Sequence, residues 1–193
     1  MDELVQINQK QVFDMLDKFL KPKGFKKRAN TWFLRNPNDV LVLVNFQKSA
    51  MGPDFYLNFG IYFDRLVGKK RKTYPSYDWQ FDGRYEQMIL RLNLITSIPE
   101  CTKLFHLDIS SDQLMTNLVE IRNNMEKYIL PFLYQVTDYE YLKENFPHNF
   151  PRNIMWTKNY KYVDLKIFFD SQLKQEFRPA KEVFDEIERK RAI

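Results

Sequence analysis

Glycine is scarce in this chain. Five occur among 193 residues, at positions 24, 52, 60, 68 and 83, and no two lie closer than eight residues. A dinucleotide-binding fingerprint and a phosphate-cradling P-loop both need glycines a few residues apart, so neither can be assembled. Cysteine is scarcer still. Cys101 is the only one, which excludes an intramolecular disulfide and points to a reducing compartment. There are two histidines, and Cys101, His106 and Asp108 form the nearest approach to a metal or nucleophile cluster. A structural zinc needs four ligands and a catalytic one three plus water. A Cys101–His106 thiolate dyad is chemically conceivable, but a small apolar cysteine and a strand histidine account for the same letters. His148, between two prolines, reads as a solvent-facing loop residue. No helix shows the Glu-x-x-His or paired-Glu spacing of a di-metal site. Enzymes of the common classes are disfavoured, and no cofactor or metal is expected. Carboxylate pairs of the glycosidase kind meet only in three dimensions, and sequence does not decide them.

Long apolar runs are also missing. None approaches the roughly 20 residues that span a bilayer. The start, "MDELVQINQK", is acidic and amphipathic and lacks the apolar core of a signal peptide. A soluble, cytoplasmic protein without membrane association is expected. No repeat or low-complexity tract appears.

What the chain does have is aromatic mass: 17 Phe, 11 Tyr and 3 Trp, within 44% apolar and 28% charged residues. That is a globular composition, and a chain of this length buries about 70% of its unfolded surface without covalent staples. The net charge is +5, from 30 basic and 25 acidic residues, which permits an acidic partner without requiring one. The cations cluster. "KPKGFKKR" ends in Lys26, Lys27 and Arg28, and "GKKRK" contains Lys69, Lys70, Arg71 and Lys72. Both flank predicted strands and are read as loops, either merely solvated or forming a phosphate-binding footprint.

Periodicity organises the rest. Val5, Val12, Phe13, Leu16, Phe19 and Leu20 recur at helical spacing over residues 2–20; Pro22 and Gly24 stop that helix. Strands are predicted at "NTWFLR", at Val40 to Gln47 after the turn "NPND", and at Phe55 to Phe63 after "KSAMGPD". Strand character is expected around Tyr77 to Tyr85. Residues 88–95 fit helix and strand equally, and so do residues 158–170. "TKLFHLD" is expected to add a short strand. Ser110 with Gln113 makes a capping box for a helix whose buried stripe is Leu114, Leu118, Ile121, Met125 and Tyr128. Pro131 is expected to end or kink it, and Thr137 with Glu140 to cap a further helix ending near Asn145. "FPHNFPRN" is the best boundary. The expected architecture is α+β: an N-terminal helix, an antiparallel meander of four to five strands, and C-terminal helices packing on or beside the sheet. Residues 1–146 form the domain, and 147–193 a helical extension packed on it.

The central hairpin carries the one local oddity. Alternation puts Val40, Val42, Val44, Phe46 with Phe55, Leu57, Phe59, Ile61, Phe63 on one face. The opposite face then acquires Asn45, Gln47, Tyr56, Asn58 and Tyr62. A register with Gln47 opposite Tyr56 also puts Asn45 opposite Asn58. The preceding strand has a large aromatic on each side. With Phe33 toward the core, Trp32 and Asn30 join the amide face, which is the preferred orientation; with Trp32 inward, Phe33 and Arg35 face the other way. Asn and Gln are poor strand formers, so cross-strand amides make sense when they hydrogen-bond something, either the protein itself or a partner.

These residues carry a resemblance. "GFKKRANTWFLR", "VNFQKS" and "FYLNFGIYF" resemble a bacterial family called domain of unknown function 4304. Its members tend to show a Gly-Phe-Lys-Lys start, an aromatic strand with a following Arg, a Gln-Lys-Ser strand end and an Asn-x-Gly strand, here Gly24 to Lys27, Trp32, Arg35, Gln47, Lys48, Ser49, Asn58 and Gly60. Arg84 matches a basic strand residue, and "YILPFL" a helix-to-proline junction. Where the family often has Trp-Trp, this chain has Leu104-Phe105. The likeness covers residues 10–63 well, loosens to about 135 and is absent after 147. It implies a small bacterial cytoplasmic α+β domain and, by analogy with proteins encoded beside toxins, an immunity-type binder.

The leading expectation is a non-enzymatic protein-binding module. Its candidate residues are Trp32, Asn45, Gln47, Lys48, Ser49, Tyr56, Asn58, Tyr62 and Arg84. The alternative is nucleic-acid or phosphate binding through the basic segments 21–28 and 68–72. A Lys48–Ser49 catalytic pair is disfavoured, because neighbouring strand residues point to opposite faces.

Overall fold

The computed structural model describes residues 3–64, 81–91 and 103–145. Elements run in the order α1 (Glu3–Leu20), β1 (Lys26–Arg28), β2 (Thr31–Arg35), β3 (Val40–Lys48), β4 (Phe55–Phe63), β5 (Phe81–Arg84), α2 (Tyr85–Arg91), α3 (Ser111–Asn124), α4 (Leu130–Gln135) and α5 (Tyr139–Asn145). The strands form one five-stranded antiparallel sheet in sequence order, β1-β2-β3-β4-β5. The expected α+β class and its order of elements are what the molecule adopts. The expected boundary at residue 147, the basic segment 68–72, Cys101, His148 and residues 158–170 lie outside the described residues. The chain divides into two compact units: Met1–Leu34, Leu43–Phe59 and Gly83–Phe132 in the first, Arg35–Val42, Gly60–Asp82 and Leu133–Ile193 in the second.

In the first unit, α1 buries Val5, Val12, Leu16, Phe19 and Leu20. It ends as expected, with Gly24 at φ +90, a left-handed conformation that glycine adopts without strain. Aromatic rings join α1 to the sheet. Phe13 packs edge-on against Phe46 at 4.8 Å, Phe46 stacks on Phe55 at 5.4 Å, and Phe55 meets Phe105 at 5.2 Å. Asn8, fully buried on α1, donates from Nδ2 to the carbonyls of Leu107 and Ile109 at 2.9 and 2.7 Å. It thereby pairs two acceptors that would otherwise cost about 1–3 kcal/mol each.

Local readings of this unit hold in part. Ser110 caps α3 with Gln113 in a reciprocal box. Leu114, Leu118, Ile121 and Met125 are buried, but Tyr128 is exposed and Ile129 takes its place. The cause is a π-helical turn at Met125–Ile129, whose i→i+5 bonding fits an extra residue into the turn and moves the buried stripe on by one. Pro131 does not end the helix; α4 continues through it, the looser turn accommodating a residue without an N–H. Residues 85–91 are helical, which resolves that part of the ambiguous segment. "TKLFHLD" is not a strand: Lys103–Phe105 is a 3-10 turn, and His106 forms an isolated bridge with Asp54. Lys26–Arg28, expected as loop, is strand β1.

In the second unit, "NPND" closes the β2–β3 turn. The Asn36 side chain accepts from the Asn38 and Val40 amides at 3.0 and 2.9 Å, as an Asx turn does. The guanidinium of Arg35 bonds the carboxylate of Asp64, which is 4% exposed, and also reaches Asp39. The α5 helix is capped by Asp138, which accepts from the Glu140 and Tyr141 amides. Thr137 instead donates to the Tyr134 carbonyl at 2.7 Å, so the expected Thr137 cap is corrected to the neighbouring carboxylate, a stronger acceptor.

Candidate functional site

The amides lie on two adjacent strands, Asn45 and Gln47 on β3 and Asn58 on β4, and backbone bonds set their register. Phe46 N–H donates to the Asn30 carbonyl, and Ser49 N–H to the Asp54 carbonyl, both at 2.9 Å. Counting back along the strands, Asn45 lies opposite Thr31 and Asn58, and Gln47 opposite Tyr56, as expected from parity.

Their polarity follows from one fixed acceptor. The Asn30 carbonyl can only accept, so Asn45 must turn Nδ2 toward it, at 3.2 Å, with the Thr31 hydroxyl oxygen at 2.9 Å. Asn45 Oδ1 then faces Asn58, whose Nδ2 donates to it at 3.1 Å and to Gln47 Oε1 at 3.0 Å. Every N–H of Asn45 and Asn58 is used within the sheet. Gln47 is exposed, and its Nε2 donates to no described residue; Asn58 Oδ1 accepts from none.

This row marks a border on a single sheet face. Leu41, Leu43 and Tyr62 on one side of it are fully buried, while Asn58 is 7% exposed and Gln47 stands in solvent. Tyr62 is therefore a core residue rather than part of an open surface. On the open side, the exposed Arg84 lies over the Tyr56 ring at 4.2 Å, a cation–π contact that holds its direction. Ser49 serves the turn, its hydroxyl accepting from the Met51 amide at 3.1 Å. Lys48 alternates to the opposite side from Gln47.

Trp32 requires a correction. It is fully buried on the α1 side, not on the amide face. Its Nε1 donates to Asp17 Oδ1 at 2.7 Å, and the half-buried Phe33 turns the other way. Asp17 was not legible as a partner, because the bond joins a helix and a strand 15 positions apart. Opposite Trp32 on β1 is Lys27, whose ammonium sits 4.6 Å from the Trp32 ring, 4.7 Å from Phe13 and 3.3 Å from Asp17. Burial raises the Asp17 carboxyl, but hydrogen bonds from Lys21, Trp32 and Lys27, with the charge of Lys27, outweigh it and hold the group below its ordinary value. Lys23 bridges to Glu126 at 3.0 Å. Much of the first basic segment is thus spent on the fold. Lys26 and Arg28 alternate to the amide face, Arg28 opposite Thr31.

Other features are less suited to chemistry. Burial pushes the Glu86 carboxyl up, against its own backbone N–H bond and the Arg84 charge. A groove of about 660 Å³ has Gln11, Met15, Phe19, Met115, Arg122 and Glu126 among its lining; its rim mixes both signs of charge and selects no ligand class. His106 Nδ1 lies 2.6 Å from Asp54 Oδ1. Among the described residues, no group of three or more His, Cys, Asp or Glu could hold a metal ion, and no helix is long and apolar enough to cross a membrane.

No curated protein and no solved structure matches the chain. One family does, over residues 16–135, a stretch that holds the Asp17–Lys27–Trp32 cluster and the whole amide row. With more than half its length matched, the chain belongs to the DUF4304 family, a domain of unknown function.

Proposed function

We propose that this protein is a non-enzymatic module that binds another protein, in the manner of an immunity protein, through the open half of its amide face. The observation that carries the reading is the direction of the amide relay. Asn45 and Asn58 spend their donors on the sheet and are thereby held rigid, while the Gln47 donor, the Asn58 acceptor and Arg84 over Tyr56 are left toward solvent. Polar and aromatic groups already held in place bind at a lower entropic cost than mobile ones.

Nucleic-acid binding through residues 21–28 draws less support. Lys21 and Lys27 are paired with Asp17, and Lys23 with Glu126. A footprint for phosphates needs cations that are not already neutralised.

Affinity capture from lysate of the native host tests the reading, with the wild type, Gln47→Arg, and Met115→Arg on the exposed side of α3 as control. The expected result is a protein retained by the wild type and the control but lost by Gln47→Arg, with all three melting alike. Equal retention by all three, or no retained protein, overturns it.

A further inference from the structure

Two polar atoms on the amide face are held in place and left unused. Gln47 Oε1 is spent on Asn58 Nδ2 at 3.0 Å, and Asn58 Nδ2 is shared with Asn45 Oδ1 at 3.1 Å. The Asn30 carbonyl at the end of the row accepts only, which fixes the direction of all three amides. Turning Gln47 over would set donor against donor, and turning Asn58 over would set acceptor against acceptors. What remains outward is Gln47 Nε2, a donor, beside Asn58 Oδ1, an acceptor. Asn58 is 7% exposed, and its Oδ1 is not among the described polar atoms that are both unpartnered and sealed from water. The acceptor therefore reaches the surface from an otherwise buried side chain. Net charge does not choose a partner here, since the Arg84 cation also acts on the Glu86 carboxyl. Hydrogen-bond polarity does.

We infer that the partner protein presents a carboxamide, the side chain of an Asn or Gln, to this pair: its oxygen accepts from Gln47 Nε2 and its N–H donates to Asn58 Oδ1. The inference rests on the docking reading above and names the group that the face recognises. The outward pair sets a partial positive charge beside a partial negative one, and a carboxamide offers the complement from two adjacent atoms in one plane. Ionised side chains match half of it. A carboxylate only accepts, and meets Asn58 Oδ1 as a second acceptor; an ammonium or guanidinium only donates, and meets the Gln47 donor. Either mismatch leaves a desolvated polar group unpaired, which costs more than a typical hydrogen bond gains. A hydroxyl must do both tasks from one atom, while the two groups stand on neighbouring strands, β3 and β4. The C=O and N–H of a trans peptide unit point in opposite directions, so one unit of main chain does not serve. Adenine is the rival, because its N6 and N7 also set a donor beside an acceptor and are read by side-chain amides.

The test selects phage-displayed random peptides on the immobilised full chain, then measures the labelled peptides by fluorescence anisotropy. Peptides released by Gln47→Arg are expected to share an Asn or Gln, and its replacement by Glu or Lys should weaken binding about tenfold. Gln47→Glu separates the alternatives. It keeps the oxygen that accepts from Asn58 and turns the outward donor into an acceptor. The Lys-substituted peptide should then bind that variant about tenfold more tightly than its Asn or Gln parent does. Gln47→Met, of similar length and without a donor, should lose the preference and gain none. Face-bound peptides without a shared carboxamide, equal binding of the Glu or Lys peptide to the wild type, or an unchanged preference in Gln47→Glu overturns the carboxamide and leaves the docking face. Selected peptides that all ignore Gln47→Arg, or no selected peptide, overturn the face itself and the carboxamide with it. Oligodeoxyadenylate that binds more tightly than oligothymidylate and is released by Gln47→Glu assigns the pair to a base and overturns the protein partner.

Discussion

Strand β1 is three residues long, and its two faces meet different fates. Lys27 turns toward α1, where its charge is absorbed by Asp17 and its stem lies against Phe13 and Trp32. Lys26 and Arg28 turn the other way, to the edge of the amide row. A motif that reads as a uniform basic run is therefore split by strand parity, one cation turning toward α1 and two toward the amide face. The same division extends across the sheet. The α1 side is closed by aromatic packing and a charge cluster, while the opposite side is closed over Leu41, Leu43 and Tyr62 and left open beyond Asn58. Residue type alone does not distinguish the two; what each side chain faces does.

Substitutions can break or sharpen that contrast. Trp32→Ala removes a fully buried ring and the partner of Asp17, and should cost about 3–5 kcal/mol in chemical denaturation; a loss below about 1 kcal/mol would return Trp32 to the open face. Asp17→Asn should cost about 1–3 kcal/mol near neutrality, since the lost bonds come from charged donors or go to a charged acceptor. Its pH dependence has a definite sign. The folded carboxyl sits below its unfolded value, so its contribution is present above about pH 4 and is lost as pH falls through the folded value. The gap between wild type and variant should therefore be flat from about pH 5 to 7 and close in acid. A gap that persists there makes the contact one of packing rather than charge.

The amide row should respond more mildly. Asn58→Ala leaves Asn45 Oδ1 and Gln47 Oε1 without their donor, but both lie nearer solvent, so about 1 kcal/mol is expected from thermal or urea unfolding. Gln47→Ala, at the exposed end, should stay within about 0.5 kcal/mol of wild type while reducing capture of a partner. Should Gln47→Ala destabilise as much as Asn58→Ala, the whole row is scaffold and the proposed docking surface contracts to Tyr56 and Arg84.

Much of this was legible before any coordinates. Strand alternation placed Asn45, Gln47 and Asn58 on one face and paired them in the observed register. The Ser110 box and the Gly24 stop are short-range signals that survive because their partners lie within a few residues. Failures came where the deciding partner was remote or the geometry departed from the regular. Nothing within "NTWFLR" says that Trp32 outranks Phe33, because the choice is made by a carboxylate on α1. Tyr128 lost its place in the buried stripe to a π-helical turn, which helical counting at 3.6 residues does not anticipate. Thr137 and Asp138 are both good caps, and the backbone path chose the second.

The sequence by itself determined the α+β class, the meander, the apolar face of the hairpin and the absence of glycine-rich phosphate loops, since each depends on local periodicity or on residue types the chain has or lacks. Tertiary structure alone decided which cations are neutralised, which aromatic faces α1, and where the amide face passes from buried to open. Those outcomes depend on pairs such as Asp17 with Trp32 or Asn8 with Leu107, brought together over 15 to 99 residues. At such separations the identity of a residue says what it can bond to, and only the fold says what arrives.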